Sequence, residues 1–295
     1  MSKKKIVFII NPKAGAKSKV NVADIIKSTI SGELDYEIIY WEHLAQWPEI
    51  KTKILTNNYD IAVAVGGDGT VNQLARTLIN TNISLAILPK GSGNGLARHL
   101  TIPLETKKAV ELLTNGKEIS IDSGFINDEA FFCTSGIGFD AHIGTLFAEN
   151  KTRGFFTYLK MTLSELIKYQ SQEYLLTLNG MQIKRKAFLI TFANASQYGN
   201  NVYIAPKADI KDGMIDICIL KPFKFWDVPG IGWRLFNKTA HRSSFIEMHK
   251  ASAVEIIRSA EGPIHFDGEP LTMGAKIQIE IKPASLKVIV PQGFN

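Results

Sequence analysis

The first third of the chain alternates short, mostly apolar segments with amphipathic helical patterns, and this alternation limits the available folds most strongly. Apolar segments lie at residues 6–10, 36–41, 61–65 and 84–88, with helical patterns at 18–31, 48–56 and 71–79. Nearly continuous apolar runs are typical of strands buried on both faces of a parallel sheet. The alternation therefore predicts an α/β domain with a parallel sheet and helices on both of its faces.

From about residue 122 the pattern changes to short strands separated by Asn-Gly and Asp-Gly turns. Strands are predicted at residues 130–134, 173–178, 183–193, 214–220, 253–259, 264–267, 276–281 and 286–290, with one helical interruption at 157–169. Such spacing predicts a second, antiparallel β-sandwich domain. The predicted boundaries are residues 1–122 for the α/β domain and 123–283 for the β domain.

Composition narrows the class of protein. The 295 residues are 45% hydrophobic with a net charge of +6, which suits a globular protein with an anionic partner such as a nucleotide or a phospholipid surface. The longest apolar runs are too short to span a bilayer. Cys133 and Cys218 lie in apolar runs and are expected to be buried, reduced thiols, which favours a cytoplasmic location.

Three turns rich in glycine or proline follow predicted strands of the α/β domain, and each precedes a helical pattern. They comprise Asn11, Pro12, Lys13, Ala14 and Gly15; then Gly66, Gly67, Asp68, Gly69, Thr70, Val71, Asn72 and Gln73; then Gly91, Ser92, Gly93 and Asn94. Ligands of parallel α/β sheets bind at the carboxyl ends of the strands, where backbone N–H groups at helix starts attract anions. Together the turns predict a polyphosphate ligand such as ATP, with Thr70 capping a helix that begins at Val71.

Two acidic turns stand out in the second half. Asp209, Asp212 and Asp216 lie in a loop between strands that could bind Mg²⁺ or could be an ordinary Asp-Gly hairpin turn. Asp267 and Glu269 lie at a turn where either carboxylate could accept a proton from a hydroxyl group, and a surface hairpin is the alternative.

Two further segments allow two interpretations each. The GxGxxA match at residues 136–141 follows a strand but lacks a βαβ unit, so close backbone packing is preferred to dinucleotide binding. Residues 222–233 hold four aromatic side chains flanked by Lys221, Lys224 and Arg234. Aromatic and basic residues together suit a bilayer interface, whereas the same aromatics could equally form core.

The order of these motifs resembles that of the diacylglycerol kinase catalytic-domain family, which includes bacterial lipid kinases, sphingosine kinases and ceramide kinases. The resemblance extends over essentially the whole chain, and the pairing of GGDGT at 66–70 with PKGSGN at 89–94 is its most specific part. It implies a phosphofructokinase-like α/β domain that binds ATP and a β-sandwich domain that binds lipid. It also implies that residues 284–295 return to the first domain.

Site roles follow from the resemblance by position. The three turns would contact ATP, and Asp212 with the main-chain oxygens of Asp209 and Met214 would bind a structural Mg²⁺. Glu269 would be the proton acceptor, a role that Asp267 could share. Asp68 would join a network of Mg²⁺ and water, with Asp122 and Asp216 as further members. Trp41 stands where the family usually has a threonine, which puts one nucleotide contact in doubt.

The predicted activity is transfer of the γ-phosphate of ATP to a lipid hydroxyl group, with Mg²⁺ as cofactor. The expected partner is a lipid substrate at the inner face of a membrane, approached transiently from the cytoplasm, and not nucleic acid; a homodimer is a reasonable default. Two alternatives are kept: a kinase of the same fold that acts on a soluble substrate such as NAD, and a nucleotide-binding regulator without catalysis.

Overall fold

The computed structural model of the chain describes residues 3–14, 21–30, 34–149 and 155–294. The chain divides into two compact units, Met1–Ile121 with Ala284–Asn295, and Asp122–Pro283. Within the described residues, each helix is too short or too polar to cross a bilayer.

The first unit is built on a parallel sheet whose strands are β1 (Lys5–Ile10), β2 (Asp35–Tyr40), β3 (Ile61–Gly66) and β4 (Ser84–Pro89), in the order β2-β1-β3-β4. The last part of β16 (Lys276–Val290) pairs with β4 in parallel, with Val288 opposite Leu85. Every residue of β3 and β4 is buried, which explains their continuous apolar sequences.

The described residues of the first unit form the α-helices α1 (Val22–Thr29), α2 (Trp47–Thr56), α3 (Asp68–Leu78), α4 (Gly95–His99) and α5 (Thr106–Asn115). Of these, α3 follows β3 directly and α4 follows β4 after a short turn. Strands β1, β3 and β4 are neighbours in the sheet, and because they are parallel, their carboxyl ends lie at the same edge. The first unit is the predicted α/β domain.

The second unit contains two antiparallel sheets. One has the order β12-β11-β10-β7-β14-β15, and the other pairs β9, β8, β13 and the first part of β16. Their bounds are β7 (Thr134–Gly138), β8 (Gln172–Leu178), β9 (Met181–Ala187), β10 (Leu189–Ala193), β11 (Ile215–Leu220), β12 (Ile246–Ala251), β13 (Ala253–Arg258), β14 (Gly262–Phe266) and β15 (Glu269–Met273).

A single apolar core takes side chains from both of these sheets. Leu176 and Ile256 come from one sheet, and Phe192, Ile217 and Ile264 come from the other; all five are essentially fully buried. Residues from opposed sheets that share one core define a β-sandwich, as predicted. Strand β5 (Lys117–Ile126), which pairs with β16 and with β6 (Glu129–Phe131), runs across the division between the two units.

Several predicted elements differ from the observed ones. The predicted strand at 183–193 is two strands, β9 and β10, because the chain leaves one sheet for the other around Phe188. The predicted strands at 276–281 and 286–290 form the single strand β16. Besides α7 (Phe155–Leu166), near the predicted helix at 157–169, the unit has α6 (Phe139–Glu149) and α8 (Val228–Phe236), which the sequence did not predict.

Candidate active site

The first turn follows β1 and is fixed to the second by the side chain of Asn11. The Asn11 amide Nδ2 donates to the hydroxyl of Thr70 at 3.2 Å, and its Oδ1 accepts the N–H of Lys13 at 3.0 Å. The backbone N–H of Asn11 also donates to the carbonyl of Val65, at the end of β3. Pro12 and Ala14 continue this turn. Gly15, which was predicted to contact ATP, lies outside the described residues.

The second turn joins β3 to α3 without an intervening loop. Helix α3 begins at Asp68 with Gly67 as its N-cap residue, so the prediction that Thr70 caps a helix beginning at Val71 is wrong. Thr70 lies within the first turn of the helix, and its hydroxyl accepts from Asn11 instead. A Cβ on Gly66 would lie 2.4 Å from that hydroxyl, so glycine is required there for Thr70 to pack against the strand end.

The third turn is held against the second by the carboxylate of Asp68. Its Oδ1 accepts the N–H of Gly95 at 2.7 Å, and its Oδ2 accepts the N–H of Asn94 at 2.9 Å. Asn94 adopts a left-handed conformation, with φ of 51°, and its Oδ1 accepts the N–H of Gly91 at 2.9 Å. The carboxylate of Asp68, in the second turn, therefore holds the third turn in its observed conformation.

Gly67 and Gly91 bring the backbones of the two turns into direct contact. A Cβ built on Gly91 would lie 2.7 Å from the Cα of Gly67, a distance that side chains essentially never show. Glycine at these positions allows this close backbone contact, which is a feature of phosphate-binding turns. The first turn of α3 also places the positive end of a helix dipole at this edge of the sheet.

Burial raises the pKa of the Asp68 carboxyl, and the N–H groups of Gly95 and Asn94 and the charge of Arg98 act in the opposite direction. Burial also lowers the pKa of Lys90, whose ammonium donates to the hydroxyl of Thr106. Arg98 donates to the carbonyl of Gly93 at 3.0 Å and so braces the third turn from its other side. These side chains stabilise the turns, and the N–H groups of Gly91, Asn94 and Gly95 are engaged by Asn94 and Asp68.

The remaining predicted ATP residues lie along the same two turns. Asn72 is buried on α3 together with Val71, and Gln73 is partly exposed on that helix. Gly69 is partly buried in the first turn of the same helix, and Ser92 is exposed in the third glycine-rich turn. Trp41, the departure noted after the second strand, is buried and packs on Trp47 with ring centroids 4.9 Å apart. It is a core residue of the first unit.

The acidic loop of the second unit is organised around Lys250. The Lys250 ammonium lies 2.6 Å from Oδ2 of Asp212 and 3.3 Å from Oδ2 of Asp216. The other Asp212 oxygen accepts the N–H of Met214, and Asp122 accepts the N–H of Gly213 at 2.7 Å. Burial raises the pKa of Asp216, against the nearby charge of Lys250.

The predicted Mg²⁺ ligands bond to protein groups in this structure, and the metal site stays a prediction. Both oxygens of Asp212 are already engaged, one of them by a cationic side chain, and the main-chain oxygen of Asp209 accepts the N–H of Asp212. Nowhere in the described parts of the chain do three acidic, histidine or cysteine side chains converge as metal ligands would. The loop joins β10 to β11 over more than twenty residues, so the Asp-Gly pair is also not a two-residue hairpin. Asp68 belongs to the first unit, and Asp122 and Asp216 to the second.

Asp267 and Glu269 are adjacent at the β14–β15 turn but have different surroundings. The two oxygens of Asp267 accept three backbone N–H groups, from Phe132, Cys133 and Thr134, at 2.8–3.0 Å. Asp267 and Gly268 have φ of 47° and 86°, the conformation of a tight hairpin turn. Glu269 begins β15 and is exposed. The carboxylate of Asp267 fastens the turn, and Glu269 is an exposed residue beside it.

A largely buried polar cluster includes His265, on the strand that precedes this turn, and it was hardly visible in the sequence. The Asp140 carboxylate is bonded to Nε2 of His265 at 3.1 Å and accepts from the hydroxyls of Thr191 at 3.3 Å and Tyr198 at 3.4 Å. The available signal was the GxGxxA match, because Asp140 is its fifth residue. A Cβ on Gly136 would clash with both Asp140 and His265, so this glycine makes room for the cluster.

Comparisons with known proteins agree with both units. The model of the diacylglycerol kinase catalytic domain matches residues 5–126, and that of the YegS C-terminal NAD kinase beta sandwich-like domain matches residues 134–290. A probable lipid kinase YegS-like protein of Pseudomonas aeruginosa PAO1 is 28% identical over 99% of this chain and 96% of its own length. The Pseudomonas putida KT2440 protein of the same description is 31% identical, over 81% and 80%.

Further relatives include a diacylglycerol kinase of Mycobacterium tuberculosis, 30% identical over 79% of this chain and 77% of its own. The crystal structure of a diacylglycerol kinase from Bacillus anthracis strain Sterne has a TM-score of 0.75 at 20% identity, covering 99% of this chain and 98% of that one. Another crystal structure from the same organism gives a TM-score of 0.83 at 21% identity. These two structural similarities establish the shared fold.

Proposed function

Because the chain belongs to the diacylglycerol kinase catalytic-domain family, we propose that it transfers the γ-phosphate of ATP to a hydroxyl group of a lipid. It is a phosphotransferase with an alcohol group as acceptor, in keeping with the lipid kinases and the diacylglycerol kinase to which it is similar. The lipid acceptor that we propose is diacylglycerol or a related lipid, including sphingoid bases and ceramide.

The observation that carries this proposal is the joining of three turns at one edge of the parallel sheet. Asn11 links the first turn to the second, and Asp68 links the second to the third. The N–H groups of Gly91, Asn94 and Gly95 are engaged by Asn94 and Asp68, so the phosphate donors that we propose are other backbone N–H groups of the turns and the N-terminus of α3, without a Walker lysine. The triphosphate of ATP is the ligand that we propose for this site.

In this mechanism most of the rate enhancement comes from positioning the γ-phosphate and stabilising its charge. ATP is proposed to react as its Mg²⁺ complex; when bound, the ion would neutralise the β- and γ-phosphate oxygens. Lys13, exposed beside the first turn, would add positive charge near the triphosphate. The acidic loop with Lys250 enters no step of this mechanism.

Glu269 is the proposed acceptor of the hydroxyl proton. Its carboxylate is exposed, whereas both oxygens of Asp267 already accept backbone N–H groups. A base must lie within hydrogen-bond reach of the proton that it removes, and an exposed carboxylate can approach a substrate hydroxyl. Asp267 would then hold the turn that carries Glu269.

The direct test uses labelled ATP with Mg²⁺ and separate acceptors in detergent micelles: diacylglycerol, sphingosine and ceramide, with NAD as a soluble acceptor. Label in a lipid product is expected. The Glu269→Gln variant is expected to lose about 10²–10⁴-fold in kcat with an unchanged melting temperature. Glu280→Gln, at another exposed strand glutamate, is the matched control and should retain full activity. Wild-type turnover of Glu269→Gln would remove Glu269 from the mechanism.

A soluble acceptor is the second candidate, because the family model that matches residues 134–290 describes an NAD kinase-like β-sandwich. Label in NAD and in no lipid would replace the lipid kinase proposal with this one. ATP binding without transfer to any acceptor would instead indicate a nucleotide-binding regulator.

A further inference from the structure

The second unit displays large aromatic side chains on α8 and on the turn before it. Trp226 and Trp233 are 72% and 71% exposed, and Phe225 and Phe236 are 59% and 57% exposed. We call these four side chains the aromatic surface. The other two tryptophans of the chain, Trp41 and Trp47, are 8% and 7% exposed and pack on each other, so among the tryptophans the exposed ones are those of this segment.

Two of these side chains, Trp233 and Phe236, are three positions apart and lie on the same side of α8. The other two, Phe225 and Trp226, lie on the helical turn that immediately precedes α8. The opposite side of the helix faces the core, where Ile231 is buried and Leu235 packs in the same cluster. A Cβ built on Gly230 would have nothing within 4 Å, so this side of the helix faces open space.

Burying apolar side chains of this size is energetically favourable. The fold leaves four of them exposed on one short segment, although aromatic residues bury readily in the neighbouring core cluster. Clustered exposure of large apolar side chains marks a surface that another apolar phase covers. The sequence allowed the aromatic residues of 222–233 to lie either at a bilayer interface or in the core. The exposure of Trp226 and Trp233 favours the bilayer interface for these two residues.

The charges around the aromatic surface favour an anionic partner. Between residues 221 and 242 the basic side chains are Lys221, Lys224, Arg234, Lys238 and Arg242, whereas the only acid is Asp227. The ammonium of Lys224 lies 5.1 Å from the ring centre of Trp226, and Lys238, at the end of the helix, lies over the ring of Tyr203. Basic residues beside tryptophans suit anionic lipid headgroups, where the rings lie at the level of the headgroups.

We propose that the aromatic surface is where the protein docks on an anionic phospholipid bilayer, with Trp226 and Trp233 inserted among the headgroups and the lysines bound to lipid phosphates. The proposal rests on the proposed lipid kinase function, because a kinase whose acceptor is held in a bilayer must reach that bilayer. Helix α8 would lie in the plane of the interface, as amphipathic helices do. The inference adds to the proposed reaction a defined contact surface outside the phosphate-binding turns.

The principal test measures co-sedimentation with vesicles of phosphatidylcholine alone and vesicles of phosphatidylcholine mixed with phosphatidylglycerol. Wild type is expected to bind the mixed vesicles and to bind neutral vesicles much more weakly. The double variant Trp226→Ala with Trp233→Ala should lose at least about tenfold in apparent affinity. The matched control, Leu44→Ala with Met181→Ala, removes two exposed apolar side chains elsewhere and should bind as wild type does.

The electrostatic part is tested by charge reversal. Lys224→Glu with Lys238→Glu should weaken binding to mixed vesicles by at least about 25-fold, because each lysine near an anionic surface contributes about fivefold. Lys51→Glu with Lys186→Glu makes the same change in net charge at exposed positions outside residues 221–242. Equal losses in both double variants would show that net charge alone attracts the protein to lipid, and would overturn the proposal.

Tryptophan fluorescence gives a readout that does not depend on activity. Brominated phosphatidylcholine in the mixed vesicles should quench wild-type emission, since two of the four tryptophans would lie at the headgroups. Trp226→Phe with Trp233→Phe should still sediment with vesicles but lose this quenching. If the wild-type protein sediments with vesicles but its emission is not quenched, the proposal is overturned. The proposal is also overturned if the wild-type protein forms dimers in lipid-free solution and the alanine double variant is monomeric, because the aromatic surface would then be a dimer interface.

Failure of this inference can be distinguished from failure of the proposed function. The alanine double variant should phosphorylate detergent-dispersed lipid at the wild-type rate and lose activity only on vesicles. If it works equally well on vesicles, the docking surface is wrong and the lipid kinase function stands. If wild type phosphorylates no lipid in detergent while vesicle docking is observed, the docking surface stands and the proposed function fails.

Discussion

The Asp68→Ala variant tests whether this carboxylate organises the phosphate-binding turns. Its two oxygens accept the N–H groups of Gly95 at 2.7 Å and Asn94 at 2.9 Å. Hydrogen bonds to charged groups contribute about 1.5–3 kcal/mol each, so the two together contribute about 3–6 kcal/mol. Burial opposes the charged form, as the raised pKa of Asp68 shows, and removing the carboxylate recovers part of that cost.

We expect a net loss of about 2–4 kcal/mol in the free energy of unfolding. At about 3–4 °C per kcal/mol for a unit of this size, the melting temperature of the first unit should fall by about 6–16 °C. Affinity for ATP should also fall, because the third turn loses its attachment to the second. Scanning calorimetry measures the first effect and titration calorimetry with ATP the second.

Two further variants make this test decisive. Asp24→Ala removes an exposed acid from the first turn of α1 and should change neither measurement appreciably. Asp68→Asn keeps one acceptor oxygen but turns an NH₂ group toward a backbone N–H, so it should be nearly as unstable as alanine. If the cost of burying the charge dominated, Asp68→Asn would instead be more stable than wild type, and that result would refute the reasoning.

Three other predictions follow from close contacts. Gly91→Ala should weaken ATP binding at least about tenfold by titration calorimetry, since its Cβ would meet backbone at 2.7 Å, whereas Gly230→Ala, in open space, should have no effect. Asp267→Ala leaves three N–H groups without their acceptor and should lower the melting temperature of the second unit. A hydrogen bond from Arg185 lowers the pKa of Glu247 in the folded protein. The pair therefore stabilises the fold fully at pH values above the unfolded-state pKa of Glu, about 4.3, and this contribution is lost as the pH falls through the lower pKa of the folded state. Urea titrations should therefore show a steeper acid loss of stability, of at most about 1 kcal/mol, in wild type than in Glu247→Gln.

The predictions that held rest on local patterns. Continuous apolar runs predicted β1, β3 and β4, because a strand buried on both faces needs apolar side chains at every position. Asn-Gly and Asp-Gly pairs predicted the β8–β9 and β14–β15 hairpins, because such turns need left-handed backbone at both central residues. The predicted division at residue 122, with residues 284–295 in the first domain, lies next to the observed boundary between Ile121 and Asp122.

The predictions that failed concern residues whose partners are distant in sequence or whose pattern is mixed. Periodicity indicates a strand but not the sheet to which it belongs, so the break between β9 and β10 was invisible. Helix α8 contains a proline, two glycines and exposed aromatics, which obscure the usual apolar stripe. Thr70 was predicted to be the N-cap residue of α3, but the helix begins at Asp68, two residues before Thr70.

The sequence by itself determined the fold class, the three turns that could hold a polyphosphate and the pair of acids at Asp267 and Glu269, because each is encoded by neighbouring residues. Only the tertiary structure decided what those residues do to each other. In the folded chain, Asp68 accepts backbone N–H groups that are 26 and 27 residues away in sequence, and Asp267 accepts N–H groups that are more than 130 residues away. The fold also leaves Trp226 and Trp233 exposed. Such contacts depend on how packed elements approach in space, which short-range patterns do not record.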